Sequence, residues 1–151
     1  MPAVQTTYSD NIAAGVAGQI VNVEPQNLIS RTVETSGGIG FGVATNQGSA
    51  DKGCVLAITG AAGAFTGVTV RERSIDANDA DEFDQYVDAR IAIKGVVWVT
   101  CATGCTAGDL VFVRPSNGDW QDSNANSGVQ VENARWDTSA TAGAVAQLRL
   151  G

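Results

Sequence analysis

Few side chains in this sequence have the types and spacing that chemistry requires. The densest group is acidic: Asp76, Asp79, Asp81, Glu82, Asp84 and Asp88 lie close together beside Phe83 and Tyr86. Clustered carboxylate oxygens suit Ca²⁺. In a calcium-loop register starting at Asp76, however, Asn78 fits the third position, Ala80 occupies the fifth and Asp81 stands where the glycine belongs. Two acids can also hydrolyse a glycosidic bond, but only when a fold holds them several Å apart across a cleft, and nothing in this spacing supplies that. A solvated loop is the expectation for residues 75–88, with an interface or cation contact as the lesser reading.

The second group is sulfur. Cys54, Cys101 and Cys105 are the only cysteines. An odd count with no visible leader favours reduced thiols made in a cytoplasm. The C-x3-C pair could form a local disulfide or half a zinc site, yet structural zinc wants four Cys or His ligands and the chain has no histidine. Small side chains packing under a turn is the plainer expectation. No serine sits in a nucleophile elbow, and no cysteine has a general base beside it in sequence. The glycines of Ile39-Gly40-Phe41-Gly42-Val43-Ala44 recur at every second residue, so the dinucleotide spacing is absent and close packing of a bare strand face is expected. No enzyme, metal or cofactor is expected.

The elements that would position such residues read as strands. Ile91–Thr100 and Leu110–Val113 are rich in Val, Ile, Trp and Phe. They are expected to form a β-hairpin around Gly104 and Gly108, with Leu110–Val113 buried on both faces. Gly95 interrupts the first run, where a glycine marks a bulge or a bend that lets a strand change sheets. Further strands are expected at Asn27–Glu34, Ile39–Ala44, Cys54–Thr59, Phe65–Ser74 and Ala144–Leu150. In Phe65–Ser74, Val68 and Val70 should point inward and Thr69, Arg71 and Arg73 outward. Turn signals separate these runs and no helix is convincing, which predicts an all-β fold: a sandwich, a jelly roll or a closed barrel.

Residues 1–24 form a separate arm in this reading, and residues 25–151 a single β domain. Tyr8, Ile12, Val16, Ile20 and Val23 recur about every fourth residue, but Gly15 and Gly18 disfavour a helix. An extended arm touching a surface through spaced apolar residues fits better. Pro25 ends it, biasing Glu24 towards an extended backbone.

The totals narrow the function. With 151 residues the chain can bury a core without staples. Its 9 basic residues are scattered among 16 acidic ones, for a net charge of −7, which argues against a nucleic-acid partner. No apolar run approaches the roughly 18–20 residues needed to span a bilayer, and neither a basic n-region nor an apolar h-region marks a secretory leader.

Gly95-Val-Val-Trp-Val99, Ala107-Gly-Asp-Leu-Val-Phe-Val113, Ala134-Arg-Trp-Asp-Thr-Ser-Ala140 and Ala142-Gly-Ala-Val-Ala-Gln-Leu148, with the Tyr8–Asn22 arm and Gly40–Ala44, together resemble the structural cement, or decoration, proteins of tailed bacteriophages. The resemblance covers most of the chain and rests on strand patterns and Ala/Gly spacings. It implies a small β protein, jelly-roll-like in some members. Such a protein is assembled in the host cytoplasm, lies on the capsid exterior, and bridges and stabilises neighbouring major capsid protein subunits. A homo-oligomer on a symmetry axis, trimer or dimer, is the expected form.

Candidate interface residues are Tyr8, Ile12, Val16 and Ile20 of the arm, together with Trp120 and Trp136, which stand beside polar turns and could equally be core. Trp98, in mid-strand, leans to the core. The alternative is a carbohydrate- or receptor-binding module of a virion, with Trp98 or Trp136 in an open groove rimmed by the acids of 76–88.

Overall fold

The computed structural model describes residues 13–57, 65–72 and 82–151. Within them the chain forms eleven strands: β1 (Asn27–Val33), β2 (Ile39–Gly40), β3 (Ala44–Gln47), β4 (Gly53–Leu56), β5 (Phe65–Thr69), β6 (Glu82–Phe83), β7 (Asp88–Thr100), β8 (Leu110–Val113), β9 (Trp120–Gln121), β10 (Val129–Trp136) and β11 (Val145–Leu150). The helical content among the described residues is one 3-10 turn, Ala125–Ser127.

The architecture is organised around β7, whose two halves pair with different neighbours. From Asp88 to Lys94 it lies antiparallel to β1, with Thr32 opposite Asp88 and Asn27 opposite Lys94. Its other side takes β5, with Val68 opposite Ala92. From Gly95 to Thr100 it lies antiparallel to β11, with Leu150 opposite Gly95 and Val145 opposite Thr100. The change of neighbour falls at Gly95, where φ is +118° and a Cβ would stand 3.0 Å from the Gln26 Cβ. Only glycine fits both demands comfortably, so the expected bend is observed.

The first half of β7 closes a ring. Strands run β7, β1, β4, β3, β5 and back to β7, with β1 and β4 parallel and the remaining pairs antiparallel. The second half leads through β11, β10 and β8 to β9. There Trp120 bridges back to Cys101, and the Ala102 amide donates to the Trp120 carbonyl at 2.8 Å. β7 is therefore shared by two closed or nearly closed rings. Closure removes the exposed strand edges that invite aggregation. A ring containing a parallel pair is barrel-like, and it differs from the antiparallel two-sheet order of a jelly roll.

Two apolar clusters fill the body. The larger includes Val97, Val99, Val111, Trp136, Ala146 and Leu148 under the second ring. The smaller joins Val33, Ile39, Phe41, Cys54, Phe83, Ala89 and Ile91, with Phe41 and Phe83 meeting edge to face at 5.2 Å. Each large aliphatic side chain buried in this way contributes about 1.5–3 kcal/mol relative to exposure.

Several expectations are corrected. β7 and β8 do not form a hairpin: β11 and β10 lie between them. The link between β7 and β8 reaches sideways, with Cys101 N donating to Ala144 O at 2.9 Å and Cys105 exchanging main-chain bonds with Ala140. β8 alternates instead of being buried on both faces, since Leu110 is 36% exposed. The expected strand Ile39–Ala44 is broken by a turn at Phe41-Gly42, where Gly42 has a φ of +70°. Thr69 points inward, fully buried; its hydroxyl donates to Gly40 O at 2.7 Å and accepts from Val43 N at 2.9 Å, clasping that turn. β10 runs unbroken from Val129 to Trp136, with Asn133 at φ +57° in an irregular stretch of its pairing with β8.

Candidate interaction surface

The chain before β1 is held against the body by main-chain bonds. Gly18 N donates to Trp98 O at 2.7 Å, Trp98 N to Gln19 O at 2.8 Å, and Val21 N to Val96 O at 3.0 Å. On its far side, Arg71 N donates to Gly18 O at 2.8 Å. Residues 15–21 thus form a strap that fills the gap between the second half of β7 and the end of β5. Two close approaches make it fit. A Cβ on Gly15 would stand 2.4 Å from Trp98 Cδ1, and one on Gly42 would stand 2.6 Å from Gly18 N. The bare face expected at Gly42 is where the strap passes.

The end of the strap is pinned electrostatically. Arg149 on β11 donates from Nη1 to Glu24 Oε2 at 2.6 Å, and from Nε and Nη2 to the Asp137 carboxylate at 3.1 and 3.0 Å. The Asn22 side chain closes on Glu24 in turn, donating to Oε1 at 3.0 Å. These bonds, Arg149 foremost and Asn22 next, hold the Glu24 carboxyl below its ordinary pKa. The same partners, Asp137 first, raise that of the Arg149 guanidinium.

Of the residues singled out in sequence, Tyr8 and Ile12 lie outside the described residues. Val16 is 52% exposed. Ile20 is half-buried, bridges Val97 and packs on the larger cluster. The structure therefore brings Val16 and Ile20 together on one strap, the first facing out and the second facing in.

The tryptophans fall on the core side. Trp120 is 3% exposed; its indole N–H donates to Gly42 O at 2.8 Å and its ring stands edge-on to Phe65. Trp136 is 1% exposed and Trp98 6%. A polar turn beside a tryptophan did not mean exposure, because Trp120 is paired to both β8 and Cys101 and Trp136 is paired to β11. An open groove lined by Trp98 or Trp136 is accordingly absent.

The acidic stretch is divided. Asp76, Asp79 and Asp81 lie outside the described residues, Glu82 pairs with Gly40, and Asp84 and Asp88 are exposed. All three thiols are free and buried. Burial pushes Cys54 up to about 11 and Cys105 up to about 12, and it raises Cys101 as well. Thiols so protonated are poor nucleophiles and poor ligands.

Sequence reasoning counted Val23 in the arm but missed the exposed Tyr86 and Val87. Val23 is fully exposed, Tyr86 76% and Val87 42%. Val23 sits in the bend of residues 22–24, which the Glu24 amide closes by donating to Asn22 Oδ1 at 3.0 Å. Tyr86 occupies the third position of the turn Asp84–Val87, closed by Val87 N donating to Asp84 O at 3.2 Å. That position is often glycine or asparagine, and a tyrosine there is the signal that was available.

Comparison with known proteins agrees with this picture. The family model described as "Structural cement protein (E217 gp24/Pam3 gp6)" matches residues 4–151. Among solved structures, a chain from the capsid of Myoviridae phage XM1 superposes with a TM-score of 0.73 at 17% identity, covering 100% of this chain and 98% of its own. The base of the head fibre gp8.5 of bacteriophage phi29 superposes with a TM-score of 0.53 at 12% identity, covering 83% of this chain and 95% of its own. At those identities the likeness is one of fold. A search of curated proteins returns no match. With nearly its full length matched by the family model, this chain belongs to the phage structural cement proteins and is a virion structural protein.

Proposed function

We propose that the chain binds the outer surface of an icosahedral phage shell, where it bridges and stabilises neighbouring major capsid protein subunits as a trimer or dimer. The observation that carries this reading is the family match along residues 4–151. Residues 1–24 serve as the contacting arm in this proposal. Its described part supports that role: the strap leaves Val16 and Val23 outward while its backbone is fixed against β7. Tyr8 and Ile12 continue the same apolar series in sequence. The net charge of −7 suits a positive patch on the shell. The sugar-binding alternative loses its stacking platform, since Trp98, Trp120 and Trp136 are all buried.

The test is co-sedimentation of the purified protein with cognate shells that lack it, scored for stoichiometry and for heat tolerance of the loaded shell. Saturable binding with raised heat tolerance is expected; absence of binding would refute the reading and direct attention to a glycan screen. Removing residues 2–12 should lower loading. Removing residues 1–24 should also lower Tm, since it uncovers Trp98.

A further inference from the structure

We infer that Tyr86 is a second shell anchor, separate from the strap, and that it docks on a basic, apolar-centred patch of the shell protein. This inference rests on the capsid-binding reading above. Tyr86 has a φ of +68°, a backbone conformation in which a Cβ crowds the neighbouring carbonyl and which bulky residues rarely occupy. The turn is held there by Tyr86 N donating to Val33 O at 2.8 Å and by Gln85 Nε2 donating to Glu34 O at 3.1 Å. Here the ring is 76% exposed, with Val87 beside it 42% exposed. The fold buries little of the tyrosine in return for its strain, the pattern expected where a side chain serves a contact outside the chain.

The surroundings identify the occupant. Tyr86 rims an open hollow of about 530 Å³ lined also by Thr32, Glu34, Ser49 and Lys52. Around it Asp51, Asp84 and Asp88 are exposed, and Glu34 is held ionised below its ordinary pKa by the amides of Ala50 and Ser49. Lys52 is the one cation lining the hollow. A second copy meeting this patch face to face would set acid against acid, which is unfavourable. A basic partner would meet complementary charge around an aromatic centre.

Tyr86→Gly separates binding from folding, because glycine relaxes the turn while deleting the ring. The expected result is an unchanged or higher Tm together with at least about tenfold weaker binding to shells. Asp51→Lys/Asp84→Lys should also weaken binding and flatten its dependence on salt. Wild-type binding matched by Tyr86→Gly would overturn the anchor while leaving the capsid reading intact. A change in the sedimentation of free Tyr86→Gly protein would overturn it in favour of a self-contact. Tighter binding by the charge-reversed variant would overturn the basic partner. No shell binding by the wild-type protein would remove the capsid reading and the anchor together.

Discussion

Gly15→Val tests whether the strap is seated as described. A Cβ at this position would stand 2.4 Å from Trp98 Cδ1 and 2.5 Å from Trp98 Nε1. Carbon atoms in good contact are about 3.5–4.0 Å apart, so roughly 1 Å must be found. The indole cannot supply it easily. Trp98 is 6% exposed, both of its main-chain groups are bonded to the strap, and the strand that carries it is paired with β11. The strap must therefore lift or the core must shift, and overpacking of that kind costs about 1–3 kcal/mol. A chain of this size loses roughly 2–4 °C in Tm per kcal/mol, so a mid-range cost of about 2 kcal/mol gives a drop of about 4–8 °C. Thermal unfolding followed by tryptophan fluorescence measures it, and a red shift of the folded-state emission should accompany the drop as water reaches the indole. The cause is checked in a Trp98→Leu background, where the smaller side chain leaves room and the cost should shrink. An equal loss in both backgrounds, or no loss in either, would refute the packing of Gly15 on Trp98.

Three further outcomes are expected. The thiols of Cys54, Cys101 and Cys105 should resist a disulfide reagent at pH 8 in the folded protein and react fully in denaturant, as burial and raised pKa require; rapid reaction of any one in the native state would contradict its burial. Trp120→Phe should cost about 1–2 kcal/mol in denaturant unfolding, since it removes the 2.8 Å bond and leaves the Gly42 carbonyl without that donor. The Glu34 carboxyl, lowered chiefly by the Ala50 and Ser49 amides, contributes stability that is present above its ordinary value of 4.5 and lost as pH falls through its lower folded value. Thermal melts between pH 6 and pH 3 should therefore decline less steeply for Glu34→Gln than for the wild type, and parallel curves would show that the carboxylate contributes nothing.

What could be read from the sequence was local. Strand positions such as Asn27–Val33 and Val145–Leu150 followed from residue type, and the bend at Gly95 followed from a glycine inside a long apolar run. The bare face at Gly42 foretold close approach, though not that the strap would be what approaches it. Pairing partners were not legible. β7 and β8 are neighbours in sequence, yet β7 takes β11, which starts at Val145, because the link at Cys101–Cys105 is drawn sideways by bonds to Ala140 and Ala144. Such bonds are long-range and leave no periodic trace. Tryptophan exposure failed for the same reason: Trp120 sits next to the Asn117-Gly118 turn but lies under Phe65 and Gly42, which are remote in sequence. The candidate surface was half legible, since spaced valines marked the strap whereas the exposure of Tyr86 depends on its left-handed backbone.

The sharing of β7 between two rings also has a mechanical consequence. Its main-chain bonds run across the strand axis, so tension applied along Asp88–Thr100 would load the ladders to β1, β5 and β11 in shear. Bonds loaded that way yield together, whereas bonds peeled from one end yield one at a time. A pull that separates the two ends of the molecule would pass along covalent backbone through Gly95 instead of across a joint between packed layers. β7 is thus the tendon of the molecule, and Gly95 is the place where that tendon turns.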